Sequence, residues 1–348
     1  MKPEQWNLLK SVVAQTNDLP PVGLIVDSPW MPGYCGCTNR DFYVQPDTWF
    51  QAYRKIKDDF PDLLLLPDWW CEYGMATEPS GFGCKISFFD DNLPVVHHIL
   101  QDADDEAIDS LKVPNPKTDG LMPLLLNLQS YMQPRIRDLG EQIKIVSTRG
   151  PLTIASHLME MTELLVGIKG EPDQIHKVLR VTTQLCKDWL SAQLEVVRDA
   201  EGILVLDDVT GFLNEEDFLE FSYPYIKSIY DAFPGTLHVF HNDAVRTSSY
   251  PFLTDMGVDV FNMTHTVNIG QIRKLTGDKL CLLGNIPPMS MVRETPETVA
   301  KLTVDMMNDY KAANGSLKGL IVSAGGGASM GAKQEQINAM IQAAKTFR

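Results

Sequence analysis

Two short apolar runs, Ile203-Leu-Val-Leu-Asp-Asp208 and Leu237-His-Val-Phe-His-Asn-Asp243, each end in a knot of polar residues. Between them Glu215–Ala232 has helical spacing, opened by Asn214 as a cap and by acidic residues in the first turn. The runs are almost continuously hydrophobic, which suits strands covered on both faces. Strand, helix, strand in that order is the unit of a parallel sheet.

The same unit repeats outward in both directions. Further strand-like runs are Val22–Asp27, Leu63–Asp68 and Ile143–Thr148 before it, and Val258–Met263, Leu280–Asn285 and Gly319–Ser323 after it. Helical stretches lie between them. Pro46–Asp59 carries Phe50, Tyr53 and Ile56 on one face, and Leu158–Val166, Asp173–Val197, Ile269–Leu275, Pro296–Ala313 and Gln334–Phe347 follow. Eight strands alternating with helices predict an α/β fold of the (β/α)8 TIM-barrel kind. A doubly wound open sheet is the alternative, but no Gly-x-Gly-x-x-Gly follows the first strand to build a dinucleotide crevice. The barrel is expected to occupy 1–348 as a single domain. Residues 71–142, too long for a plain connection, form an excursion with a helix over Leu121–Arg137.

The composition bounds the partners. The 348 residues are 44% hydrophobic and carry a net charge of −15. There is apolar surface enough for a core, which excludes a disordered chain. Acidity disfavours nucleic acid and an anionic membrane surface, since both need clustered Lys and Arg. No run approaches the roughly 20 apolar residues that span a bilayer, and Met1–Pro20 lacks the plan of a signal peptide. A cytoplasmic location is expected, with the six cysteines as reduced thiols. Cys35-Gly-Cys37 is the close pair, without the spacing of a zinc knuckle.

In a barrel, chemistry collects at the C-terminal ends of the strands. The polar residues there include Asp207, Asp208, His238, His241, Asn242, Asp243, His265 and Asn285. Imidazole and carboxylate are the usual metal ligands and acid–base groups, so His241, His265, Asp208 and Asp207 are the candidate catalytic set. His241, His265 and Asp208 are the candidate metal ligands, with His238 as an alternative. Strand alternation sends His238 and His241 to opposite sides unless the strand end bulges. Trp30, Tyr34, Trp69, Trp70 and Tyr73 would lie over the first two strands, as a stacking surface for a flat ligand or as a hydrophobic plug under the excursion. Trp30, Tyr34, Trp70, Arg149, Asn242, Asp243 and Asn285 are the candidate substrate-binding residues. Arg149 could hold a carboxylate or phosphate, or form a structural salt bridge with an inner Asp. Gly325-Gly-Gly327 could admit a ligand to the backbone or make a tight turn. Asn262-Met-Thr264 matches a glycosylation sequon, a chance match in a cytoplasmic chain.

Several of these segments resemble the uroporphyrinogen decarboxylase superfamily. Leu213-Asn-Glu-Glu-Asp-Phe-Leu-Glu-Phe-Ser-Tyr-Pro-Tyr-Ile-Lys227 is similar to its LSPEDFxEFxxPYxKxI helix. Arg149-Gly-Pro151 opens the third βα unit as in the family. His238-Val-Phe-His-Asn242 stands for its HxCGN, Gly284-Asn-Ile-Pro-Pro288 for its GN(I/L)DP, and Ser323-Ala-Gly-Gly-Gly327 for its SxGCG. These run in the family's order over roughly residues 140 to 345. The resemblance implies the same barrel, and a homodimer.

The superfamily holds both uroporphyrinogen decarboxylases and corrinoid-dependent methyltransferases, which exchange methyl groups with a cobalamin-carrying protein and use zinc to activate a thiol. The decarboxylases carry an FRQAGRY segment whose arginines face a polyanionic tetrapyrrole. The corresponding Ile25-Val-Asp-Ser-Pro-Trp-Met-Pro-Gly-Tyr34 has no Arg. An octacarboxylate is electrostatically disfavoured there. The methyltransferases' zinc ligands are one His and two Cys, and the two Cys positions are Phe240 and Gly326 here. An N/O set of His241, His265, Asp207 and Asp208 could bind zinc as a Lewis acid at a methoxy oxygen or an amine, or act as a metal-free acid–base pair. The resemblance thus implies an enzyme moving a methyl group between a small methoxylated or N-methyl compound and a corrinoid-binding protein. A decarboxylase of a less anionic substrate, and a non-catalytic barrel that binds a tetrapyrrole or corrinoid, are the alternatives.

Overall fold

A computed structural model describes residues 1–26, 29–100 and 105–347. Eight parallel strands form a barrel-like sheet: β1 Gly23–Ile25, β2 Leu64–Leu66, β3 Ile145–Arg149, β4 Gly202–Leu206, β5 Leu237–Asn242, β6 Val260–Met263, β7 Cys281–Ile286 and β8 Leu320–Ala324. Strands β3 to β8 pair in sequence order as a six-stranded parallel sheet, and β1 pairs with β2. Bridges Val22↔Val322 and Ile25↔Gly327 carry the pairing from β8 round to β1. The strands are buried along nearly their whole length, as their continuous apolar runs require.

Among the described residues no ladder joins β2 to β3, and side chains close that seam. Near the C-terminal end of β3, Glu78 Oε1 accepts from the backbone N–H of Arg149 at 2.8 Å and from Thr148 Oγ1 at 3.2 Å. The carboxylate thus takes the N–H that a neighbouring strand would otherwise have paired. Burial pushes the Glu78 carboxyl up, against Arg149 and the N–H donor. At the other end Trp69 Nε1 donates to Glu141 at 2.7 Å, and Lys57 Nζ lies 2.5 Å from Asp68 and 2.7 Å from Glu141. The excursion supplies Glu78 from the helix Thr77–Gly81. It continues through a small antiparallel pair, Ile86–Ser87 with Val95–Val96, and ends in the helix Met122–Asp138.

The long helices follow the expected apolar spacing, and short unexpected ones such as Met31–Cys35 and Asn39–Val44 lie between them. The stretch Leu158–Val166 is divided between the helices Pro151–Met159 and Met161–Gly170, which break at Glu160, where φ is 80° and the side chain caps Thr162 N. The stretch Glu215–Ala232 is also two helices, Glu215–Phe221 and Tyr223–Asp231. Pro224 lacks an N–H and so starts a helix better than it continues one. Pro3–Val13 forms a helix that the polar N-terminus concealed. It buries Trp6, Leu9 and Val12 at i, i+3, i+6, worth about 2 kcal/mol per side chain.

Candidate functional site

His241 occupies the last turn of sheet before the C-terminal rim. In the parallel register it sits beside Asn262 of β6. Its Nδ1 lies 2.7 Å from Asn262 Oδ1, and its Nε2 lies 3.4 Å from Asp208 Oδ1. Asp208 begins the short 3-10 turn Asp208–Phe212 that follows β4. Asp243, just past β5, completes the group. One donor atom each from Asp208, His241 and Asp243 lies within 4.8 Å of the others. Asp243 N also approaches Asp208 Oδ1 at 3.4 Å. Asp243 is exposed as a whole residue, but desolvation of its carboxyl group pushes the pKa up from its ordinary value. His241 opposes this, Asp208 adds to it, and His265 opposes it.

The loop after β8 is shaped around Asp243. A Cβ on Gly326 would fall well inside van der Waals contact of Asp243 Oδ2, and the glycine's φ of +106° is one that L side chains rarely adopt. The space that a side chain at 326 would fill is occupied from across the barrel by a carboxylate.

The remaining expected residues divide. His265 is exposed on the loop after β6, close enough to act on Asp243 but outside the three-donor group. Asn285 holds that loop, its Nδ2 donating to Thr264 O at 3.0 Å and Val267 O at 2.7 Å. Asn242 is buried and accepts from Ala244 N at 3.1 Å, and its Nδ2 has no partner among the described residues. Asp207 is not in the group. It is fully buried under the helix Pro151–Met159, where it accepts from Leu152 N at 3.1 Å, Thr153 N at 3.0 Å and Thr153 Oγ1 at 2.9 Å. Burial pushes its carboxyl up to about 7, against those donors. Alternation along the strand end sends Asp207 one way and Asp208 the other.

His238 is corrected as an alternative ligand, since it lies outside the three-donor group. Its two ring nitrogens face backbone carbonyls, Gly257 O at 2.8 Å and Phe233 O at 3.1 Å, and the ring stacks on Tyr230. Phe240 packs on Phe261. From this strand end the group takes His241 and Asp243.

Arg149 and the aromatic group serve the seam and the core. Arg149 is buried, with Nη2 at 2.9 Å from Glu72 Oε2 and 3.2 Å from Gly74 O, and its guanidinium lies over Trp70. The salt bridge is structural, as the alternative had it, but the acid is Glu72 of the excursion rather than an inner Asp. Trp70 O accepts from Trp49 Nε1 and Tyr53 Oη. Trp30 is buried, donates to Ala332 O and packs on Tyr34. Tyr34 donates to Asp59 at 2.7 Å, where the helix Pro46–Asp59 returns to the N-terminal side of β2. The structure does not bring Trp30, Tyr34, Trp70 or Arg149 to the three-donor group. Asp27 and Ser28 lie outside the described residues.

Sequence reasoning gave no role at the site or seam to Asn262, Glu72 or Glu78. A polar residue in the middle of the apolar run Val258–Met263 was a signal for Asn262. The acids lie in the excursion, where no strand period marks them.

The donor set is one imidazole and two carboxylates. These atoms suit a borderline or hard divalent cation and fit zinc as a Lewis acid. They do not build a zinc–thiolate centre, since Phe240 is turned away and Gly326 has no side chain.

A parallel β/α barrel with an imidazole–carboxylate group at its C-terminal rim is thus in hand. The sequence model of the uroporphyrinogen decarboxylase (URO-D) family matches residues 70–347, and the chain belongs to that family. A uroporphyrinogen decarboxylase of Aromatoleum aromaticum is 26% identical over 317 residues, 84% of this chain and 83% of that protein. Among solved structures, a methyltransferase from Methanosarcina mazei covers 99% of both chains with a TM-score of 0.81 at 15% identity. A B12-independent methionine synthase from Shewanella covers 94% of this chain and 97% of its own, with a TM-score of 0.57 at 10% identity. These two likenesses establish the fold. No helix among the described residues is long and apolar enough to cross a membrane.

Proposed function

We propose that this chain is a methyltransferase of the URO-D family. It would move a methyl group between a small methoxylated or N-methyl compound and a corrinoid carried by a partner protein. The observation that carries the reading is the convergence of three acceptors, His241 Nε2 and the carboxylates of Asp208 and Asp243. Three acceptors so close repel one another unless a cation or donor hydrogens lie between them. When a methyl leaves oxygen or nitrogen, the heteroatom keeps the bonding electron pair and gains negative charge. A bound divalent cation would supply Lewis acidity at that atom. The chain's part is to hold a proton or cation there through His241, Asp208 and Asp243, with His265 at the edge of the site.

The pairing of Arg149 with Glu72 leaves that guanidinium engaged, which argues against a polycarboxylate substrate. The names of the sequence relatives favour a second reading, decarboxylation of a substrate less anionic than uroporphyrinogen.

The test incubates the full chain with reduced cobalamin and a panel of aryl methyl ethers and N-methyl amines, following methylation by visible absorption. Turnover is expected, with a loss of at least about 100-fold in H241A and D243N. Undiminished turnover in H241A refutes the site. No turnover on any donor, together with CO2 release from a carboxylated pyrrole, would replace this reading by the second.

A further inference from the structure

We propose that Asn262 is the positioning residue of this site, fixing His241 as the Nδ1–H tautomer so that Nε2 presents a lone pair to Asp208 and Asp243. Asn262 is fully buried, so water cannot compete for its amide. Its Nδ2 lies 2.7 Å from Leu283 O on β7 and 3.2 Å from Ala324 O on β8. Reversing the amide would set its carbonyl oxygen against two backbone carbonyl oxygens, so the nitrogen belongs on that side. The oxygen then faces His241 Nδ1 at 2.7 Å and can only accept. Nδ1 must carry the proton. A neutral imidazole has one N–H, so Nε2 is left as an acceptor.

The amide cannot swing away, because two strands hold its other end. One side chain reaches from β6 across the barrel interior to β8, and at the same time sets the ring of the neighbouring β5 residue. The arrangement is what a ligand or a base needs from its supporting shell: an orientation and a tautomer, both set before anything binds. The use of that lone pair rests on the cation reading given above. The tautomer assignment does not.

The experiment is a long-range 1H–15N correlation on the full metal-free chain with 15N-labelled histidine. It is run at about pH 8.5, where an ordinary imidazole is neutral. The His241 signals are identified by their loss in H241Q. The wild type is expected to show the Nδ1–H pattern alone, and N262L to lose it. A wild-type Nε2–H pattern overturns the proposal by itself, whether or not the variants fold. So does an unchanged Nδ1–H pattern in folded N262L. Cobalt(II) titration of the same samples by visible absorption separates the two readings. Binding weakened about 10- to 100-fold in N262L is the expected result. Failure of the wild type to bind cobalt, with the Nδ1–H pattern present, removes the cation reading and leaves the Asn262 assignment standing.

Discussion

Substituting Gly150 by alanine tests how closely the third βα turn is built around Asp207. Gly150 precedes the helix Pro151–Met159 with φ −77° and ψ 167°, a conformation that alanine adopts freely. Backbone strain is therefore not at issue. The added Cβ would overlap the Asp207 carboxylate, lying only 2.5 Å from Cγ. The carboxylate accepts three hydrogen bonds, from Leu152 N, Thr153 N and Thr153 Oγ1, in a fully buried position. Moving it aside breaks all three, at about 1 to 1.5 kcal/mol each. Residual crowding adds about 1 kcal/mol. The total expected loss is about 4 to 5.5 kcal/mol. Because Asp207 N donates to His241 O at 3.0 Å, a shift there also disturbs Asp208 and His241. The assay is urea unfolding followed by circular dichroism, with Gly170→Ala as the control. Gly170 has nothing within 4 Å of its added Cβ and lies in a helix, so that variant should be neutral or up to about 1 kcal/mol more stable. If G150A lies within about 1 kcal/mol of wild type with an unchanged slope, the close approach of the turn to Asp207 is refuted.

Glu78→Ala removes the acceptor of the Arg149 N–H and Thr148 hydroxyl at the β2–β3 seam. Urea unfolding should show a loss of about 3 kcal/mol, with Glu78→Gln losing less because it keeps an oxygen. Gly326→Ala adds strain at φ +106°, about 1 to 3 kcal/mol, and displaces the Asp243 carboxylate. Its cobalt affinity should fall at least tenfold while circular dichroism stays native, and an unchanged affinity would contradict the packing of Asp243 on this loop. Acid should destabilise the protein through His157, whose pKa is pushed down to about 4 by burial, then by Arg149 and His98. The unfolded chain binds the extra proton below its ordinary value of 6.5, so stability falls as pH drops from about 6.5 to 4 and then levels. The loss is at most about 3 kcal/mol, since the ring is only partly buried. H157Q should flatten the urea midpoint across that window, and an undiminished slope would exclude this histidine.

The barrel was legible because buried parallel strands have a distinct pattern, short continuous apolar runs. Each of the eight lies within or against an expected run, though β1 and β2 are three residues long. The alternation of strand and helix then leaves few topologies. Helix breaks at Glu160 and Ser222 were not legible, because the apolar residues on either side, such as Phe218, Phe221, Ile226 and Ile229, keep helical spacing through the interruption. The seam between β2 and β3 was invisible for another reason. The groups that close it, Glu72 and Glu78, come from an irregular segment whose path no local period predicts.

At the rim, residue type alone overcounts the site, and parity along the strand corrects it. Asp207 and Asp208 are the same residue one position apart. One is sealed under a helix N-terminus, while the other faces His241. His238 and His241 differ by an odd number of positions and so take opposite faces, one bonded to backbone and one to the site. What parity cannot supply is contact between distant loops. Gly326 read as a mere loss of a side chain. In the folded chain its emptiness is the room that Asp243 fills. A glycine and an acid 83 positions apart are therefore one structural decision, and neither is intelligible without the other. The consequence is chemical as well as steric. The third donor at the rim comes from the β5 end as a carboxylate, and a carboxylate holds protons and hard cations where a thiolate would hold soft ones.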